Sequence, residues 1–145
     1  MRAIYPWPIV LVKALRAALD LAHARLLLRT ITPDGVLQRN AAMARQARQA
    51  GRPADPASST LSCDEAAFFI GRMAVRVPWR SDCLVQALAG QQWLARAGVT
   101  SEIVVGTARQ DDGGFLSHAW LRHGSRIVLG GDISRYTPML ETDPD

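Results

Sequence analysis

The sequence is poor in the residues that mark several common classes of protein. It has two cysteines, Cys63 and Cys83, and no Cys-x-x-Cys pair of the kind used by zinc sites and thioredoxin-type redox sites. No apolar run reaches the roughly 18 residues of a transmembrane helix, and no glycine-rich phosphate-binding loop is present. We therefore predict no metal, no cofactor, no ATP site and no stable membrane insertion.

Lysine is nearly absent as well, since Lys13 is the only one and the net charge of +4 comes mostly from arginine. The arginines are spread along the chain, without a dense cluster or interleaved aromatic residues, which argues against a nucleic-acid partner. Lys13, Arg16 and Asp20 interrupt the first apolar stretch too early for a signal peptide. We predict a cytoplasmic protein; for this first segment, a helix lying on a membrane surface is the alternative.

What is present fits a compact protein with a core of its own: 145 residues, 48% hydrophobic and 21% charged. The apolar periodicity predicts three helices in the first half, at about 8–29, 36–49 and 62–76. The first is amphipathic, and its apolar face carries five residues spaced three or four apart: Val12, Leu15, Leu19, Ala22 and Leu26.

Local signals predict how these helices are separated. Pro33 to Gly35 is typical of a turn before the second helix, and 51–59 reads as a loop. Ser62 and Glu65 have the spacing of a capping box at the start of the third helix.

The second half predicts one helix followed by an antiparallel meander. The helix runs from about 83 to 97, capped by Ser81 or Asp82, and three strands follow at about 101–108, 115–122 and 126–130. The fold class is therefore α+β, a helical N-terminal half followed by one helix packed on a small antiparallel sheet. We divide the chain into a helical subdomain, 1–60, and a core, 61–145.

Cys83 stands where the fourth helix is predicted to begin. Unpaired backbone N–H groups and the positive end of the helix dipole lie there, and both favour the reactive thiolate. The structural alternative is a small, buried, apolar cysteine.

His118 lies in the middle of the second predicted strand, on the same face as Leu116 and Trp120. A histidine there is most often structural. A helix-start cysteine followed 35 residues later by a mid-strand histidine is, however, the order of a cysteine–histidine site. We therefore predict Cys83 as nucleophile and His118 as its base.

A third group would have to orient the histidine ring. If the last hairpin turns at Gly124, His118 faces about Gly130, and Asp132 lies diagonally beyond it on the same face. Asp132 is the candidate orienter, and a turn aspartate that caps the adjacent bend is the alternative. The Cys83 backbone N–H can supply one oxyanion donor; a second is not evident, and Trp79 is read as wall or core.

Three segments together resemble a known family. They are 77–89 (VPWRSDCLVQALA), 94–98 (LARAG) and 117–121 (SHAWL), and they resemble the leader-peptidase B protein of lasso peptide biosynthesis, in the transglutaminase-like superfamily. The resemblance covers about residues 75–140.

The resemblance implies a transglutaminase-like core and a cytoplasmic cysteine protease that removes the leader from a precursor peptide. It implies as partners that precursor peptide, a separate leader-recognition protein and a macrolactam-forming cyclase. The family's nucleophile falls on Cys83 and its base on His118. Its acid comes about twelve residues after the histidine, where this chain has Gly130, so Asp132 is two residues late and a bulge would restore the register.

Two other functions use the same residues. An acyl transferase of the superfamily would pass the acyl group to an amine instead of water. A non-catalytic scaffold would only bind a peptide or a partner protein.

Overall fold

Four helices precede a four-stranded antiparallel sheet in the computed structural model, which describes residues 4–50 and 55–140. The elements in chain order are α1 (Trp7–Leu27), α2 (Pro33–Gln49), α3 (Pro56–Ala74), α4 (Cys83–Arg96), β1 (Glu102–Arg109), β2 (Phe115–His123), β3 (Arg126–Leu129) and β4 (Thr137–Leu140). The predicted α+β class is confirmed. Within the described ranges, no helix is both long and apolar enough to cross a bilayer.

α2 begins earlier than predicted, at a proline. The Thr32 hydroxyl accepts a hydrogen bond from the Gly35 N–H at 3.1 Å, and Pro33 occupies the first turn of the helix. The predicted turn from Pro33 to Gly35 is therefore wrong. Proline fits this place because its fixed φ suits a helix and its missing N–H would have no partner there.

α3 also begins earlier, at Pro56, so the predicted capping box of Ser62 and Glu65 is wrong. The carboxylate of Asp55 caps this helix by accepting from the Ser58 N–H at 2.8 Å. An aspartate followed by a proline is as good a helix start as the serine chosen from the sequence. Of the predicted loop at 51–59, residues 51–54 lie outside the described residues.

α4 is the centre of the core. α1, α2 and α3 pack against it, and it rests on the sheet mainly through β2. Gly90 permits this close approach, because a Cβ there would lie 2.4 Å from Leu129 Cδ1 and 2.9 Å from Leu121 Cδ2. Leu88 and Leu94 are fully buried, as predicted, while Leu84 is half-buried.

α1 packs in the core with the helix face opposite to the apolar face predicted from the sequence. Ala17, Leu21 and Ala24 are buried in the core, whereas Leu15 and Leu19 are exposed to solvent. Small residues let α1 lie close to α4, and this close packing leaves the larger leucines outside.

A side chain of α2 completes the hydrogen bonding of β1 at Ile103. The Asn40 amide accepts from the Ile103 N–H at 2.9 Å and donates to the Ile103 carbonyl at 3.0 Å. Its oxygen also accepts from Gln91 Nε2 at 2.8 Å. Because β4 pairs with β1 only from Val105 onward, Asn40 takes the place of a strand beside Ile103.

The strand order is β3-β2-β1-β4, so the chain must cross two strands between β3 and β4. β3 ends at Leu129, and β4 pairs with the far edge of β1. β4 was not predicted from the sequence. Pro138 is tolerated in it because an edge strand can leave one side without ladder hydrogen bonds.

Candidate active site

Cys83 is the first residue of α4, as predicted. The Asp82 carboxylate caps the helix by accepting from the Val85 N–H at 3.3 Å. The Cys83 thiol is free and half-buried. It therefore lies among the first N–H groups of a fourteen-residue helix, at the positive end of the helix dipole.

His118 lies on β2, paired with Gly106 of β1. Its ring packs against Tyr136 and Trp120, with centroid separations of 4.9 and 6.2 Å. Its Nε2 atom is 2.7 Å from the Gly130 carbonyl oxygen. A carbonyl oxygen can only accept, so Nε2 carries the proton and Nδ1 of the neutral ring keeps its lone pair. The contact thus selects the tautomer in which Nδ1 can act as a base.

Cys83 and His118 lie on two elements that pack against each other, α4 and β2. Leu121 contacts α4 at Gly90. Cys83 precedes Gly90 by seven helical residues, and His118 precedes Leu121 by three strand residues; each step covers about 10 Å. Cys83 and His118 are therefore each about 10 Å, along their own elements, from the place where β2 meets α4.

The His118 ring and the Cys83 thiol form no direct hydrogen bond in the described structure. Side chains alternate along β2, so His118 lies with Trp120 and Tyr136 rather than with Leu121 beneath α4. Among the residues that the structure describes, no hydrogen bond joins the Cys83 thiol to the His118 ring.

Asp132 is exposed and has a different partner from the one expected. Its carboxylate accepts from the Ser134 N–H at 2.9 Å, and this hydrogen bond lowers the pKa of Asp132. A register shift does occur between Leu121 and Arg122. Continuing the pairing of Leu121 with Leu129 would bring Asp132 opposite His118, but β3 ends at Leu129.

The Gly130 carbonyl reaches the His118 ring because Gly130 adopts a backbone conformation that favours glycine. Its φ is 125°, and a Cβ there would lie 2.3 Å from Trp120 Cβ. Residues with side chains rarely adopt this conformation. Sequence reasoning treated Gly130 as the place where an acid is missing; the glycine pair directly after a strand was the signal for a backbone contact there.

Two polar atoms shortly before Cys83 in the sequence are buried without a hydrogen-bond partner in the described part of the chain. They are Trp79 Nε1 and Ser81 Oγ. A buried polar group without a partner costs about 1–3 kcal/mol, so such groups point to a role that the free protein leaves unfilled. Trp79 packs against the core, as predicted; the unpaired state of its buried indole N–H was not predicted.

The second cysteine is placed differently. Cys63 of α3 is fully buried, and burial raises the pKa of its thiol. It adjoins a shallow cleft of about 370 Å³ that His123 and Arg126 also line. His123 Nδ1 lies 2.6 Å from the Thr100 carbonyl. A buried, protonated thiol is a poor nucleophile, so Cys63 is not a candidate nucleophile.

Comparisons with known proteins agree with this architecture. A family model described as the transglutaminase-like superfamily matches residues 28–141, which include Cys83, His118 and Asp132. No curated protein and no solved structure gave a match.

Proposed function

Since the chain belongs to the transglutaminase-like superfamily, we propose that it is a cysteine peptidase that removes the leader from a lasso-peptide precursor. The proposal rests on two separate observations: the Cys83 thiol lies at the start of α4, and Nδ1 of the His118 ring is left free to accept a proton. The resemblance of the segments around both residues to leader-peptidase B proteins supports the choice of substrate.

In the proposed reaction, His118 Nδ1 takes the proton of the Cys83 thiol. The thiolate attacks the carbonyl carbon at the leader–core junction, and the C–N bond breaks as protonated His118 gives its proton to the leaving amine. Water then attacks the thioester, which releases the leader acid and restores the thiol. The Gly130 carbonyl accepts from Nε2 throughout and holds the ring in one orientation.

Stabilisation of the oxyanion needs two donors near the Cys83 thiol. The backbone N–H of Cys83 is the first, as expected from its place in α4. We assign the second to the Trp79 indole N–H, which is buried without a partner.

The third group of the site is proposed to be the Gly130 carbonyl, with Asp132 as the competing assignment. Gly130 holds the ring in the described structure. Asp132 would reach it only if β3 continued past Leu129 in the shifted register.

The proposed partners follow from the same resemblance. They are the precursor peptide, a leader-recognition protein that presents it, and a macrolactam-forming cyclase that acts on the released core.

The test is intact-mass spectrometry after mixing the protein with the precursor peptide and the recognition protein encoded beside it. We expect separate leader and core masses with the wild type and with Cys63→Ala, and none with Cys83→Ala or His118→Ala. Cleavage by Cys83→Ala at the wild-type rate would refute the proposal. The masses also separate hydrolysis, which adds water, from transfer, which adds an amine.

A second measurement separates an enzyme from a scaffold. Iodoacetamide at neutral pH should alkylate Cys83 faster than a free peptide cysteine, because the helix start favours the thiolate. Cys63 is the internal control and should stay unlabelled while the protein is folded, since it is fully buried and burial raises its pKa. Alkylation of Cys83 at the rate of the free peptide would favour a scaffold.

A further inference from the structure

α1 carries an apolar surface that the rest of the described chain leaves uncovered. We call it the α1 seam; it consists of Val12, Leu15, Leu19, Ala22 and Leu26. The four large side chains among them are 66%, 63%, 62% and 60% exposed in that order. Single exposed leucines are ordinary, but a continuous row of this kind marks an interaction surface.

The seam lies on the opposite side of α1 from the core. At 3.6 residues per turn, its members centre about half a turn away from Ala17, Leu21 and Ala24, which are buried. α1 is therefore apolar on two opposite faces. A helix of this kind is normally buried on both sides, and the described chain covers only one of the two.

The spacing within the seam identifies the shape of its occupant. The intervals from Val12 to Leu26 are three, four, three and four residues, which is the a/d pattern of a coiled coil. The seam spans about 21 Å of helix. This period fits the side of one further helix. Nearer the start of α1, Trp7, Ile9 and Leu11 add exposed apolar surface beside the seam, at 72%, 41% and 51%.

The charges beside the seam identify the chemistry of the occupant. With Val12 and Leu19 at a positions, Arg16 and His23 fall at e positions and Arg25 at a g position, and all three are exposed. The single acid of α1 in the described range, Asp20, is buried and paired with Arg96. The rim of the seam therefore presents positive charge with no exposed carboxylate.

We propose that the α1 seam docks an amphipathic helix of another protein, one with leucine-type residues at a and d and glutamate or aspartate at the flanking e and g positions. Charge complementarity selects this partner. A second copy of the same chain would place the basic rims of two α1 helices against each other, which coiled coils disfavour. The inference does not depend on the proposed peptidase reaction.

The probe is a fluorescein-labelled, 21-residue designed peptide with Leu at a and d and Glu at e and g. Fluorescence anisotropy with the full-length protein should show saturable binding. The double variant Leu15→Gln/Leu19→Gln should bind at least tenfold more weakly. Both side chains are more than half exposed, so the fold should survive, which circular dichroism checks. Leu61→Gln, at a 47% exposed position on α3, is the matched control and should bind like the wild type.

Charge is tested with a second peptide in which Lys replaces every Glu. It should bind the wild type at least tenfold more weakly, and Arg25→Glu should narrow or reverse that preference. Equal binding of the two peptides, or no saturable binding of either, overturns the proposal.

Two further outcomes assign the seam to a different occupant and also overturn the proposal. One is a wild-type dimer in sedimentation velocity that Leu15→Gln/Leu19→Gln dissolves. The other is cosedimentation with phosphatidylglycerol vesicles that the same variant abolishes while peptide binding is absent. Precursor cleavage by the Leu15→Gln/Leu19→Gln variant is measured separately, so failure here is distinguishable from failure of the peptidase assignment.

Discussion

The Nε2 atom of His118 lies 2.7 Å from the carbonyl oxygen of Gly130. A main-chain carbonyl thus holds the ring from the side of Nε2. It fixes the tautomer as an aspartate would, because both groups accept from Nε2–H. It carries no full charge, so it stabilises the protonated ring less than a carboxylate would.

Replacing Gly130 should damage both the fold and the site. In Gly130→Ala the new Cβ would lie 2.3 Å from Trp120 Cβ at a φ of 125°. We expect a loss of about 3 kcal/mol or more in the free energy of unfolding, measured by urea denaturation.

Gly131→Ala is the matched control for this variant. Gly131 also has a positive φ, 68°, but a Cβ there has nothing within 4 Å, so we expect a loss of only about 1–2 kcal/mol. Equal stabilities of the two alanine variants would contradict the close approach to Trp120.

Asp132→Ala tests which group orients His118. The carboxylate is exposed and bonded to the Ser134 N–H rather than to the ring. We expect kcat/KM for precursor cleavage to fall less than tenfold, and about equally in Asp132→Ala and Asp132→Asn. A fall of about 10²-fold or more in both variants, at unchanged stability, would move the orienting role from Gly130 to Asp132.

Trp79→Phe tests the second oxyanion donor. It removes an indole N–H that is buried without a partner and keeps most of the apolar volume. We expect kcat to fall about 10²-fold, with a thermal midpoint no lower than that of the wild type, because no hydrogen bond is lost.

Ser81→Ala is the companion variant, since Ser81 Oγ is also buried and unpaired. We expect little change in its kcat. An unchanged kcat in Trp79→Phe together with a large loss in Ser81→Ala would assign the donor to the serine instead.

Asn40→Ala tests the contact between α2 and the sheet. The amide of Asn40 pairs with the N–H and the carbonyl of Ile103 and with Gln91. Its removal leaves the Ile103 N–H and carbonyl buried without this partner, while Gln91 Nε2 keeps the Ser101 carbonyl as an acceptor; the loss should cost about 2–4 kcal/mol of stability. Gln38→Ala, on the exposed side of the same helix, should change stability by less than about 0.5 kcal/mol. Equal effects of the two changes would show that the pairing at Ile103 contributes nothing.

Most of the fold could be predicted because its signals are local. Apolar periodicity located α4 and the first three strands. The starts of α2 and α3 were misplaced because Thr32-Pro33 and Asp55-Pro56 can be read as turns or as caps. Neighbouring residues alone do not decide between the two.

In the candidate site, too, the features set by local sequence were predicted, and those set by tertiary packing were not. The placement of Cys83 at a helix start follows from Asp82 and the periodicity after it, and it was predicted. The contact of His118 with Gly130 depends on where β3 ends and on the packing of Trp120, which are tertiary facts. The exposure of the α1 seam could not be predicted either. Periodicity identifies an apolar helix face, but it does not show which of two apolar faces packs against the core.

The connection from β3 to β4 places the groups that contact His118 in the last part of the described chain. The residues after Leu129 supply the acceptor for His118, the Tyr136 ring that packs against it, and the edge strand beside Val105. A chain shortened at Leu129 would keep Cys83 and His118 yet lose all three supports at once. Trimming from the C-terminus is therefore a change to the surroundings of His118, and a tag that pulls on β4 would act on this histidine some twenty residues upstream.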